Sequence, residues 1–491
     1  METKQDSKNE YAISQYPDVE KVYNAIDILL SQEIRRINPE KMKAYMDYFD
    51  TQCSESKKMI EEAKGYIPGG VQHNLAFNYP FPLVITKAEG PYLYDIDGNR
   101  YIDFIQAGGA TILGSNYKPV QEKVLSLIQE CGPSTGLFHE YELKLAQEVH
   151  RHMPSVEMFR MLGSGTESTM AAIRAARVIT KNKKVIKLGA AYHGWSDPLV
   201  FSLHIPGTRK FEAHGIPGSA TKHTQEVFPN NIDAVKSKLR MNKLRGGTAA
   251  IIHEPLGPES GTRPISKEYN KQLRELCDDY DALLIFDEVV TGFRVGLGGA
   301  QGYFGVSPDL TTFGKIIGGG YPGAGGLGGK KEFISYLAAG VESGKKRAYV
   351  GGTLAATPIT AVAGYHTIRE IEKTNASVKA GVAGDKLREG LNEIISKRNL
   401  PFVVYNQGSI VHMETVATMF RSIELKKFWK IPRTVKDVKH RKHVMEEMGA
   451  AYTAEGIITL AGSRLYTSLA TSDEVVEDAL QRFDKVFANV D

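Results

Sequence analysis

The sequence predicts an α/β protein built on a mostly parallel sheet. Three observations carry this. Apolar runs of strand length recur at 158–162, 185–188, 249–253 and 282–287, and another ends at Lys315. Helix-forming stretches, 169–180 and 267–280 among them, separate several of these runs. Alternation of this kind marks layered α/β architecture with right-handed crossovers. Polar and glycine residues then gather where the runs end, which is where open parallel sheets bind ligands.

The bulk numbers narrow the class. A chain of 491 residues is long enough for two or three lobes. Hydrophobic content of 42% and charged content of 24% are ordinary globular values. A net charge of +4, with no basic stripe interleaved with aromatics, argues against a nucleic-acid binder. Cys53, Cys131 and Cys277 are far apart and form no C-x-x-C, which excludes a cysteine-based zinc site and suggests a reducing compartment. The polar N-terminus has no apolar signal core, and no stretch nears the roughly 18 apolar residues of a membrane span. A cytoplasmic protein with no membrane partner is expected.

Taken in order, residues 1–64 read as an extension with two helices, 18–35 and 39–64, the second behind an N-cap-like Asn38. Pro68-Gly69-Gly70 breaks the pattern. Residues 91–104 alternate around Asp97-Gly98-Asn99, a hairpin signal. Asp95, Asp97 and Asp103 fit turn chemistry better than a calcium loop, which would need a glutamate at its twelfth position. Helical pattern returns from 120 to 155. The α/β alternation fills 111–355, and a long helix, 358–373, opens a mixed region that runs to 491. The basic segment 426–442 carries Pro432 and little apolar face, so a solvated connection is expected there rather than a phosphate patch.

The chemistry-bearing residues sit at the strand ends. Ser164-Gly165-Thr166 stands at a strand-to-helix turn, where free N–H groups and the helix dipole suit a phosphate. Serine and threonine also occupy N-caps for structural reasons alone. Tyr192-His193-Gly194 follows a strand and offers a ring to stack on a flat cofactor; a lone buried tyrosine is more often core. Asp287 ends the run 282–286. A carboxylate there can hold a pyridine nitrogen protonated, although four apolar residues before Asp-Glu also resemble a Walker B strand. That alternative needs G-x-x-x-x-G-K-[S/T], which neither Gly314-Lys315-Ile316 nor Gly344-Lys345-Lys346 supplies. Lys315 follows a strand and precedes Gly318-Gly319-Gly320. It is the residue expected to hold pyridoxal 5'-phosphate as a Schiff base and to carry protons during the reaction. Lysine suits both tasks because its pKa falls readily in a dry site.

With these residues placed, the chain from about 57 onward resembles the class III (ω-type) aminotransferases, and among them the glutamate-1-semialdehyde aminomutase-like members. The resemblance rests on Pro68-Gly-Gly-Val71, residues 90–103, 164–177 and 192–194, Phe286-Asp-Glu-Val-Val-Thr-Gly-Phe-Arg294, residues 308–320 and Gly352-Thr353. It implies the fold type I architecture of pyridoxal phosphate enzymes. The division implied is an N-terminal helical extension (1–64), an N-terminal part of a small domain (65–110), a large cofactor domain (111–355) and a C-terminal small domain (356–491). A homodimer with shared active sites is implied as well. Carried over to this chain, Gly165 and Thr166 with Ser164 bind the phosphate, Tyr192 stacks on the ring and His193 lies beside it. Asp287 pairs with the ring nitrogen, Val289 packs on the opposite face, and Lys315 forms the Schiff base. Thr353 reaches the neighbouring subunit's phosphate, and Glu254 lies near the pocket.

The expected activity is amino-group transfer from an amino acid or amine to a keto acid or aldehyde. An intramolecular aminomutase or a racemase is the alternative, and a catalytically inactive scaffold a more distant one. Two departures bear on substrate. The mutases carry an arginine for the substrate carboxylate shortly after Gly-Gly-Val, where this chain reads Val71-Gln-His-Asn-Leu-Ala-Phe77. Their C-terminal Phe-Glu-Ala-Gly-Phe-like segment is replaced by Ala461-Gly-Ser-Arg464-Leu-Tyr466. Arg464 is the candidate for the lost carboxylate contact, with a surface or structural arginine as the alternative. No metal site is expected.

Overall fold

A computed structural model describes residues 10–208, 213–340, 346–423 and 431–491. The chain forms two compact units. One holds Lys118–Ser377 with the described parts of Met1–Tyr11 and Met419–Phe428; the other holds Ala12–Tyr117, Val378–Thr418 and the described part of Trp429–Asp491. These divisions fall at 117/118 and 377/378, later than composition suggests at 110 and 355. The helix Pro358–Thr374 explains the second difference, because it packs on two helices of the first unit.

The first unit opens with helices α1 (Lys118–Cys131) and α2 (Glu140–His152), separated by Gly132-Pro133. Then follow β1 (Met158–Leu162), α3 (Gly165–Thr180), β2 (Lys184–Leu188), β3 (Thr224–Val227), α4 (Ile232–Lys243) and β4 (Thr248–His253). After these come α5 (Tyr269–Asp279), β5 (Leu283–Asp287), β6 (Leu310–Gly314), β7 (Gly325–Gly329) and α6 (Pro358–Thr374). The seven strands form one sheet in the order β1-β7-β6-β5-β4-β2-β3. All pairings are parallel except the two that β7 makes, with β1 and with β6.

Strand periodicity sorts the side chains onto two faces. Val185, Ala250, Ile252, Leu283 and Ile285 pack with α3, while Ile186, Leu188, Ile251, Leu284 and Phe286 pack with α4 and α5. Helix α3 lies close on its face because most of the side chains it buries there are alanines, Ala171, Ala172, Ala175 and Ala176, beside Ile173. Burying both faces is what makes these strands read as continuous apolar runs.

Strand β7 is the element the sequence hides. Gly-Gly-Leu-Gly-Gly reads as a turn, since glycine weakens strands. Here the neighbours occupy the space side chains would need: the Phe159 ring stands over Gly326 and Val156 over Gly328. Only Leu327 contributes a side chain, fully buried against α3.

The second unit has a four-stranded sheet of Ile85–Glu89, Tyr92–Asp95, Arg100–Asp103 and Ile457–Ile458, and a three-stranded sheet of Val403–Gln407, Ile410–Glu414 and Arg464–Tyr466. Its core gathers Phe104, Leu391, Met413, Tyr452 and Phe483. The hairpin expected at 91–104 is present, with Tyr92 opposite Ile102. The helix expected over 39–64 is two helices, Pro39–Gln52 and Ser54–Ala63, broken at the non-helical Cys53. Asp97, in the hairpin turn, caps the second one: its carboxylate accepts from the N–H groups of Glu55 (2.7 Å) and Ser56 (3.0 Å) and from the Ser56 hydroxyl (2.7 Å). In the basic segment, residues 426–430 lie outside the described residues. From Ile431 the chain is helical to Ala454, not an irregular connection, because Val444, Met448, Ala451 and Tyr452 give its later turns an apolar face.

Candidate active site

The site builds from the C-terminal ends of the parallel strands. In register, Lys187 of β2 lies beside Glu226 of β3 and beside Ile252 of β4, and Ile252 lies beside Ile285 of β5. Alternation then puts Glu254, two residues past Ile252, and Asp287, two past Ile285, on that same face. Four adjacent strands thus end in a row of ionisable groups on the face that α3 covers.

Asp287 is buried, 4% exposed. Its Oδ1 accepts from the Thr312 hydroxyl (3.0 Å) and the Val289 N–H (3.1 Å), and its Oδ2 lies 2.7 Å from His193 Nδ1. A carboxylate only accepts, so Nδ1 carries the proton and Nε2 is left as an acceptor. Nε2 is buried and has no hydrogen-bond partner among the described residues. Burial lowers the His193 pKa, with the Asp287 contact opposing, so the neutral ring is favoured. The His193 carbonyl in turn accepts from the Thr169 hydroxyl of α3 at 2.7 Å, which ties the 192–194 turn to that helix.

The start of α3 forms the second part. The Ser164 hydroxyl accepts from the Glu167 N–H (3.2 Å), and the Glu167 carboxylate reaches back to the Gly163 N–H (2.7 Å). Ser164 is thus an N-cap, and the N–H groups of Gly165 and Thr166 remain as anion donors. Close packing surrounds this terminus. A Cβ on Gly165 would sit 2.9 Å from Val289 Cγ1, one on Gly314 2.8 Å from the same atom, and one on Gly194 2.7 Å from Thr166 Cα. Glycine at these three positions lets the helix terminus, the turn after Tyr192-His193, Val289 and the strand leading to Lys315 converge.

Lys315 leaves β6 with φ of 52°, left-handed and rare for a lysine, and begins a single 3₁₀ turn through Gly318. Register places Thr312, three residues before it, opposite Asp287. Ser168 of α3 steadies this strand end, donating to the Phe313 carbonyl (3.0 Å) and accepting from the Gly326 N–H (2.8 Å).

The remaining expected residues fall in different places. Tyr192 is 45% exposed, and burial with the charges of Glu259 and Asp287 raises its phenol pKa. Glu254 is buried and spends its oxygens on the loops: it accepts from the N–H groups of Tyr192 (3.1 Å), Glu259 (2.7 Å) and Ser260, and from the Ser260 hydroxyl (3.0 Å). Burial pushes its carboxyl up to about 8, with the Asp287 charge adding and the N–H donors opposing. Thr353 is exposed, next to Gly352, where a Cβ would lie 3.3 Å from the Glu167 carboxylate. Arg464 belongs to the second unit, 8% exposed and paired in register with His412, whose pKa burial and the guanidinium both depress.

Sequence reasoning missed Thr312, Thr169 and Lys187. Thr312 was findable, because it shares a strand face with Gly314 and faces the Asp287 strand. A lysine inside Val-Ile-Lys-Leu was likewise a visible anomaly. A separate cluster, Glu148, His152 and Glu372, has ligand atoms within 4.8 Å of one another. Arg151 and Arg369 already pair with its carboxylates, so it is an ion-pair network.

These features suit a flat, aromatic, phosphorylated cofactor. A helix terminus supplies N–H donors, a buried carboxylate stands at a strand end, a histidine nitrogen stands unpartnered, and a lysine enters from a strained turn. The chain belongs to the class III aminotransferase family, whose sequence model matches residues 75–487. It is 42% identical over 367 residues to the glutamate-1-semialdehyde 2,1-aminomutase of Legionella pneumophila (strain Corby), covering 73% of this chain and 82% of that protein. Among solved structures it resembles an omega-transaminase from Sphaerobacter thermophilus, with a TM-score of 0.78 and 26% identity over 90% of this chain and 99% of that one. A glutamate-1-semialdehyde aminomutase from Pseudomonas aeruginosa PAO1 shares the fold, with a TM-score of 0.77 and 21% identity over 95% and 99% of the two chains. The chain is thus a class III aminotransferase-family enzyme of fold type I. Among the described residues no helix is long and apolar enough to cross a membrane.

Proposed function

We propose that this enzyme moves an amino group from an amino acid or amine to a separate keto acid or aldehyde. Pyridoxal 5'-phosphate is the cofactor, and when bound it withdraws electrons from the bonds around the substrate's amino carbon. The observation that carries the reading is the buried Asp287, oriented by Thr312, Val289 and His193, one strand away from the left-handed Lys315. Asp287 supplies fixed negative charge at the ring nitrogen. Gly165 and Thr166, with Ser164, hold the phosphate through the first turn of α3. Tyr192 and Val289 bracket the ring, and Lys315 holds the cofactor and then carries a proton at its amine.

Screening the purified enzyme against a panel of amines and amino acids tests this. At least one donor should bleach the visible band of the bound cofactor in a single half-reaction, and Lys315→Ala should lack the band. An enzyme that no donor bleaches would refute the reading. The 42% identity to an aminomutase supports a second one, intramolecular amino transfer. Release of free keto product, one equivalent per site without acceptor, favours the transaminase; its retention favours the mutase.

We also read Arg464 as a contact for the substrate carboxylate, in place of the arginine absent after Gly-Gly-Val. Arg464→Ala should then raise the apparent KM for carboxylate donors about tenfold or more while sparing simple amines, and an equal effect on both would discard this role. We place the enzyme in the cytoplasm, on its three free cysteines, which cell fractionation checks. A homodimer is proposed, in which Thr353 meets the partner's cofactor phosphate.

A further inference from the structure

The loop after β2 carries Tyr192 and His193 and is held in an unusual shape. Ala190, Ser202 and His204 all have positive φ, at 70°, 53° and 55°. Such residues persist only where surrounding contacts over-determine them. Here three ionisable side chains from three neighbouring strands do so. Glu254, after β4, accepts from the Tyr192 N–H at 3.1 Å. Glu226 of β3 accepts from the Ser202 hydroxyl (2.6 Å) and the Gly207 N–H (2.7 Å). Lys187 of β2, fully buried, donates to three carbonyls of this one loop: Ala191 (3.0 Å), Leu199 (3.0 Å) and Phe201 (2.6 Å).

An ammonium has three N–H donors and no acceptor, so these three carbonyls satisfy it completely. Burial pushes the Lys187 amine down to about 8, while Glu226 and Glu254 work to keep it charged. No hydrophobic side chain could draw three carbonyls to one point. One of the three belongs to Ala191, directly before Tyr192.

We propose that Lys187 is a positioning residue for the cofactor: it gathers the 191–201 loop around its ammonium and so sets the Tyr192 ring and the His193 contact to Asp287. This rests on the pyridoxal phosphate reading of the site. Lys187 is distinct from Lys315 and holds no covalent role.

The test compares full-length wild type, Lys187→Met and Lys187→Gln, each at a temperature where far-UV circular dichroism shows it folded. Two readouts are taken: the dissociation constant of pyridoxal 5'-phosphate, and hydrogen exchange of the loop peptide 190–204 against the β4 peptide 248–253. Lys187→Met is expected to bind the cofactor at least tenfold more weakly and to exchange at least tenfold faster in the loop alone. Lys187→Gln, with two N–H donors, should fall between. Cofactor affinity within twofold of wild type, or equal acceleration of both peptides, overturns the proposal. So does failure of both variants to fold, since Lys187 would then be a requirement of the core. Wild type that binds no pyridoxal phosphate would instead refute the cofactor reading, and the exchange comparison would still judge the clamp.

Discussion

Lys315 shows how much a single residue can declare. A left-handed lysine costs on the order of 1–3 kcal/mol, and such strain collects at functional positions. Its identity and its glycine neighbours were readable from sequence; its backbone geometry was not, because φ depends on what the flanking strands enforce. Asp287 was legible as a strand-terminal carboxylate, whereas its donors meet it only in the fold, Thr312 through register and His193 from the loop after β2. Asp103 offers a different kind of test. Burial pushes its carboxyl up to about 6, with the N–H groups of Gln106 and Ile105 opposing. A folded-state pKa above the ordinary 3.8 means this group's favourable contribution is complete below 3.8 and lost as pH rises through 6. Both N–H groups donate to one oxygen, Oδ1, at 3.0 and 2.8 Å, which asparagine would retain. Asp103→Asn should therefore be more stable than wild type by roughly 1–3 kcal/mol at pH 7.5 and no different at pH 3.8, read by urea denaturation.

Among the elements, the strands at 158–162, 185–188, 249–253 and 282–287 and the helices at 169–180 and 267–280 were visible as runs and periods, and their bounds moved by only a few residues. Strand β3, whose Thr-Gln-Glu-Val carries no apolar run, and α4 after it were not. Helix 39–64 failed as one element because the cap that splits it comes from Asp97, more than 40 positions along the chain. Strand β7 failed for a physical reason of its own: propensity describes what a side chain gains from a pleated surface, and β7 is defined by the absence of room for one. Gly326→Val should accordingly cost about 1–3 kcal/mol, since its side chain would need the place of the Phe159 ring. Gly218→Ala, where nothing lies within 4 Å of the added carbon, serves as the neutral control in the same denaturation series.

At the scale of the whole molecule, composition set the class but not the assembly. Leu137, Phe138, Trp195, Tyr349 and Leu354 of the first unit are 63–78% exposed, large apolar surface that the proposed second subunit would cover. Sedimentation should accordingly find a species of twice 54.2 kDa, and Leu354→Asp should shift it toward one chain. The family match begins only at residue 75, which invites treating everything before it as a detachable leader. The Asp97 cap forbids that. Phe49 and Cys53, both with no exposed surface, share a core cluster with Phe81 and Ala450, and the Tyr48 hydroxyl meets that of Tyr101 at 3.2 Å. Trimming this enzyme to the length of its shorter relatives would unroof that cluster and strand a carboxylate at the hairpin tip. Anyone engineering a minimal version must rebuild a floor there before removing the first helix.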